Sequence, residues 1–154
     1  MAKREAPHDG QLTQPMPALL ERVKDIVLHE LHRRLDELGF HGLRFRHGHV
    51  FRFIDAEGSR VTDLALRSGL TKQGIGDAVV ELERLGYVER QPAPADGRAK
   101  IVRLTSRGVE GQAAAARVLE EIERGWAQQY GQRQIDQLRH ALESITADAD
   151  QQMR

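Results

Sequence analysis

Thr71, Lys72 and Gln73 stand together, with Gly74 and Asp77 just beyond them, and these are residue types that can hydrogen-bond to nucleic acid. Glutamine pairs bidentately with adenine, lysine meets guanine or a phosphate, and threonine binds phosphate or touches a thymine methyl. A second polar cluster follows at Arg90, Asp96, Arg98 and Lys100. An arginine on a narrow ribbon suits the narrow, electronegative minor groove. Asp96, two residues before Arg98, is expected to orient it through a charge-assisted hydrogen bond. Alone, each of these side chains would read as a solvated surface, so their meaning rests on the elements that carry them.

Those elements can be read from the apolar spacing. Val61 to Ser68 fits a short helix, with Leu64 toward the core and Ala65 small where a second helix must cross closely. Gly69 lies at a turn that needs a left-handed backbone. Leu70 is expected to plug the junction and Thr71 to cap the next helix. Ile75, Ala78, Val79 and Leu82 then form one buried face, which leaves Thr71, Lys72, Gln73, Gly74 and Asp77 at the exposed N-terminal end. Gly74 and Gly76 each cost about 1 kcal/mol relative to alanine inside a helix, which reads either as close backbone approach, to DNA at Gly74 and to the preceding helix at Gly76, or as a tolerated weakness. Gly86 ends this helix. A hairpin follows, with strands over 87–91 and 99–104 and a tip over 92–97, and Arg90, Arg98 and Lys100 near that tip. Two short helices around a glycine turn, then a basic hairpin, spell a winged helix-turn-helix.

The rest of the chain supplies a helical frame. Leu19, Val23, Ile26, Val27, Leu31, Leu35 and Leu38 recur at three and four, marking a long amphipathic helix over about 17–38 that ends at Gly39. A second helix is expected over 44–54, with Phe45, Val50, Phe51 and Ile54 as its buried face. Val109, Ala113, Ala116, Leu119, Ile122 and Trp126 form a later stripe, and Ile135, Leu138, Leu142 and Ile145 another. These helices are long for the core they could cover alone. Apolar stripes left over on the first and last helices, at Leu19, Val23, Ile135, Leu138 and Leu142, point to burial against a second copy. The expected organisation is a flexible arm over 1–14 carrying Lys3 and Arg4, a dimerisation region over 15–40 and 109–150, and a winged helix-turn-helix over 41–108.

Composition narrows the function classes. The 154 residues contain no cysteine, which removes disulfides and thiolate chemistry. No run approaches the ~20 apolar residues of a membrane span, and the N-terminus has no apolar core of a secretory signal, so a cytoplasmic protein is expected. The 23 basic and 23 acidic residues cancel, which taken alone speaks against nucleic acid. The distribution answers this. Residues 84–107 hold six basic residues against two acidic, while 108–154 hold five against eight. The positive charge gathers on the hairpin, as phosphate binding requires.

Leu64-Ala65, Leu70-Thr71-Lys72-Gln73, the run from Leu82 to Arg90, Asp96-Gly97-Arg98-Ala99-Lys100 and Leu104-Thr105-Ser106-Arg107-Gly108 together resemble the MarR family of bacterial transcriptional regulators. The resemblance implies a mainly α fold with a small β-wing and a homodimer whose first and last helices interlock. It implies double-stranded DNA as partner, a near-palindromic operator with half-sites about one helical turn apart, the recognition helix in the major groove and Arg98 in the minor groove. It also implies repression relieved by a small, commonly aromatic or phenolic, effector in a crevice between the dimer helices and the winged domain. Two positions depart from the family pattern. Gly76 replaces a small polar residue, and Gly97 replaces the commoner arginine of the wing tip.

His29, His32, His41, His47 and His49 cluster in the first third. His29 and His32, three apart, invite a zinc reading, but no further ligand set follows from the spacing. Solvated or interface histidines are expected, with neither metal nor cofactor, and their clustering raises sensitivity to mild acid. No nucleophile elbow or phosphate loop suggests an enzyme. The competing class is a winged-helix module for protein contact without DNA. A continuous positive stripe across Lys72, Arg90 and Arg98 is the feature that separates the two.

Overall fold

The computed structural model describes residues 14–152, so Lys3 and Arg4 of the expected arm lie outside the described residues. Six helices and one hairpin follow in order: α1 (Met16–Glu37), α2 (Phe45–Phe53), α3 (Val61–Ser68), α4 (Lys72–Arg84), β1 (Val88–Ala93), β2 (Asp96–Leu104), α5 (Ser106–Tyr130) and α6 (Gln132–Gln152). The architecture is mainly α with a two-stranded antiparallel wing.

The helix-turn-helix forms for local reasons. Gly69 takes φ +70°, a left-handed conformation that closes α3. Thr71 then caps α4, its side chain accepting from the Gly74 N–H at 3.0 Å. Leu64 on α3 and Ile75, Ala78, Val79 and Leu82 on α4 are all buried, and Val50, Tyr87, Val88 and Val102 complete that core. Leu70 does not plug the junction: it follows the left-handed Gly69, lies outside the core and stays exposed. Nor does Gly76 mark a close helix crossing, since a Cβ there would meet nothing within 4 Å.

α2 keeps the expected position and most of the expected face, with Val50 in the core and Phe51 and Ile54 packed against it. Val50 is buried, whereas Phe45 is half-exposed at the first turn, edge-on to His49. His47 takes the inward place instead, one turn before Val50 and Phe51.

The wing is longer than its sequence suggests. Pairing runs from Val88↔Leu104 to Pro92↔Lys100 and Ala93↔Asp96, with an irregularity between Pro92 and Ala93, so the tip shrinks to Pro94 and Ala95. Proline is tolerated because both strands of a two-stranded ribbon have an open edge. Arg90 therefore sits mid-ladder opposite Val102, not near the tip. The base of the wing is tied down by Ser59, whose backbone exchanges two hydrogen bonds with Val102 at 2.9 and 2.8 Å.

A second core lies where α1 crosses α5, built from Leu31, Leu35, Ala114, Val118 and Ile122. The buried face of α5 runs through Gly108, Gly111, Ala114, Val118 and Ile122; Val109, Ala113 and Ala116 of the expected stripe are exposed. Large residues opposite explain the shift. A Cβ on Gly108 would fall 2.0 Å from the Tyr87 carbonyl oxygen, and one on Gly111 would touch the rings of Phe40 and Tyr87. The Arg107 guanidinium lies over both rings and donates to the Gly39 carbonyl, while the Tyr87 hydroxyl donates to the His41 carbonyl. α6 buries none of its residues.

Candidate nucleic-acid interface

The exposed end of α4 is the product of its buried face. With Ile75, Ala78, Val79 and Leu82 turned inward, Thr71, Lys72, Gln73, Gly74 and Asp77 are all exposed on the first turn and a half. The Thr71 hydroxyl accepts from the Gly74 N–H, which fixes its position while leaving its own proton free to donate. Among the described residues, Lys72, Arg98 and Lys100 form no ion pair, and all three are exposed.

The wing departs from expectation at two side chains. Asp96 Oδ1 accepts from the backbone N–H of Arg98 at 3.1 Å, so it shapes the turn and leaves the guanidinium unheld. The acceptor lies within reach of the amide two residues on, an arrangement that short acidic side chains favour. Arg90 is not part of a free positive stripe, because its Nε lies 3.5 Å from Glu83 of α4.

Two polar networks behind this surface were not visible in the sequence. Arg67 of α3 donates both Nη groups to the Asp55 carboxylate, at 2.9 and 2.8 Å, and Asp55 also accepts from the Ser59 hydroxyl. The Arg67 bonds hold the Asp55 carboxyl below its ordinary range, and Ser59 passes the constraint to the wing through Val102. The second network joins α2 to α4. His47, 1% exposed, accepts the Arg44 N–H on Nδ1 at 3.0 Å, and its Nε2 lies 2.8 Å from Glu81 Oε2. Arg46 donates to the same carboxylate through Nε at 2.9 Å and through Nη2. Burial pushes His47 below its ordinary value, against the pull of Glu81, so the ring is neutral with its proton on Nε2. The bond from His47, then that from Arg46, lowers Glu81. A solvated histidine at 47 is thus corrected to a buried, doubly bonded one. Its three- and four-residue spacing to Val50 and Phe51 was the available signal.

Beside His47, a cavity of about 510 Å³ opens between α1, α2 and α5. Leu31, Leu35, Phe51 and Leu119 form apolar walls, with His32, Arg44, Arg52 and Gln112 as polar lining. Its size is that of a small-molecule site. Gln112 reaches across to donate to the Phe51 carbonyl at 2.7 Å. Burial lowers His32, while His29 on the same helix is exposed. Among the described residues, no three or more His, Asp or Glu side chains gather as a metal site would require, and no helix is long and apolar enough to cross a membrane.

A capped helix with an exposed polar end, a preceding helix at a left-handed turn and a basic ribbon define a winged helix-turn-helix carried on long helical arms. Residues 41–99, which hold the helix-turn-helix and most of the wing, match the model of the MarR family. The chain is similar to CouR from Rhodococcus jostii RHA1, solved with p-coumaroyl-CoA, at 28% identity over 89% of this chain and 95% of that one, with a TM-score of 0.66. A MarR-family regulator from Rhodococcus sp. RHA1 is 27% identical over 86% and 97% of the two chains, with a TM-score of 0.64. The crystal structure of MarR shares the fold at a TM-score of 0.73 and 22% identity, over 89% and 98%. No curated protein matches the sequence at a significant level.

Proposed function

We propose that this chain is a homodimeric, sequence-specific DNA-binding regulator, a repressor relieved by a small ligand. The observation that carries this reading is the start of α4, where Thr71 caps the helix and Lys72, Gln73 and Gly74 are exposed, with Lys72, Arg98 and Lys100 free of ion pairs among the described residues. In this reading Thr71, Lys72, Gln73 and Asp77 face the major groove, with the Gly74 backbone close to it, and Arg98 enters the minor groove. Arg90 serves as a positioning residue through Glu83. The winged unit spans 41–108, and the exposed apolar residues of α1 and α6 meet a second copy. The effector enters the α1–α2–α5 cavity. Its apolar walls and the arginines at 44 and 52 suit an aromatic group with an acidic end, in keeping with the p-coumaroyl-CoA of the CouR structure.

Fluorescence anisotropy on the DNA upstream of the protein's own gene tests the proposal. Sub-micromolar binding is expected, weakening about 10³-fold or more between 50 and 200 mM salt as phosphate contacts demand. Absence of binding, or binding indifferent to salt, would favour the protein-contact module instead.

A further inference from the structure

The cavity and the exposed end of α4 are joined by a direct polar path. α2 supplies Arg44, His47, Phe51 and Arg52 to the cavity lining. The same helix supplies Arg46 and His47, which hold Glu81 of α4. Glu81 lies one turn beyond Asp77, about 6 Å along the helix axis at 1.5 Å per residue. We propose that His47 and Glu81 are the positioning residues that transmit occupancy of the α1–α2–α5 cavity to the recognition helix, with Arg46 as a second tether.

The geometry makes the imidazole a stiff coupler. Its Nδ1 accepts from the Arg44 N–H at the start of α2, so Nε2 carries the proton and donates to Glu81. The ring cannot turn or slide without losing one bond, and a lost bond is costly for a ring only 1% exposed. An occupant that displaces α2 must therefore either pull Glu81 with it or break the pair. The Gln112 bond to the Phe51 carbonyl ties the far end of α2 to α5, so displacement is concentrated at the His47 end. This inference rests on the regulator reading for its purpose, but the mechanical link can be tested apart from it.

Side chains grown into the cavity serve as a built-in occupant. Gly48 lines it, and a Cβ there meets nothing within 4 Å, so Gly48→Leu is the first filler and Ala115→Phe, from the α5 wall, the second. Operator affinity is measured for each filler, for Glu81→Ala and for the combinations, as double-mutant cycles. A folded filler is expected to weaken operator binding about tenfold in the otherwise native chain. After Glu81→Ala the same filler is expected to weaken it by less than about twofold, with Glu81→Gln, which keeps an acceptor for His47, restoring most of the coupling. A purely structural role for Glu81 would give additive losses. The amide resonances of Gly74 and Gly76 give a readout without DNA. They are expected to shift with the filler in the native background and to stay fixed after Glu81→Ala. Additive affinities, or resonances indifferent to both fillers in folded protein, would overturn the link. Should the native chain fail to bind DNA while the resonances still couple, the regulator reading falls and the link stands.

Discussion

In the winged unit, Val50, Leu64, Ile75, Val79 and Leu82 are entirely buried by one chain. Along α1 and α6, Leu19, Val23, Leu138 and Ile145 remain 40–66% exposed. Both regions have amphipathic helices, so the difference lies in what meets the apolar face. Three short helices and a ribbon close on one another, whereas among the described residues α6 packs mainly against α5. Each fully buried Val, Leu or Ile contributes about 1.5–3 kcal/mol over an exposed one, and the arms forgo most of it within a single chain. Such a stripe is the surface that the proposed second copy would cover.

The strongest way to break this comparison is to open the closed core. Leu82→Ala is expected to cost about 3 kcal/mol of stability, seen in denaturant melts, because the surrounding helices cannot collapse onto the void. The matching change in the open region, Leu138→Glu with Leu142→Glu, should leave the fold's circular dichroism intact. It should give a monomer by light scattering and weaken operator binding about 100-fold, by removing the second half-site contact. Arg98→Ala sharpens the contrast from the other side: a loss of about 1–2 kcal/mol in operator affinity with the dimer unchanged. Thr71→Ala removes the α4 cap and is expected to cost about 1 kcal/mol of stability.

The smallest effect concerns pH. His47 and His32 are both held below their ordinary value of 6.5 by burial. The unfolded chain then binds more protons than the folded one as pH falls through that value. Stability should be full above about pH 6.5 and decline below it. Melting temperatures from pH 7.5 to 5.5 should show the decline, and His47→Gln should flatten it, leaving the His32 part.

Local pattern made the winged unit legible. The three- and four-residue spacing on α4, the Thr71 cap and Gly69 each act within a few residues, so the sequence carries them directly. Legibility failed where contact is long-range or residues are neutral. Glu81 reads as one more surface carboxylate until α2 is folded against it, 34 residues away. The alanine-rich α5 offered several equivalent stripes, and the Tyr87 carbonyl at Gly108 and the rings of Phe40 and Tyr87 at Gly111 chose between them. Leu70, Phe45 and the wing tip misled for a common reason: apolar character or turn propensity states a preference, and tertiary geometry decides it. The expected guanidinium bond at Asp96 was likewise claimed by a nearer backbone amide.

The 2.0 Å approach at Gly108 also bears on how this sequence can drift. Any other residue there would drive α5 off the Tyr87 carbonyl, so a random library is expected to return a single letter at that position. Gly76 and Gly97 have open space around them, and the same library should return many. Inheritance can thus rewrite the exposed end of α4 and the wing while the joint beneath them stays frozen.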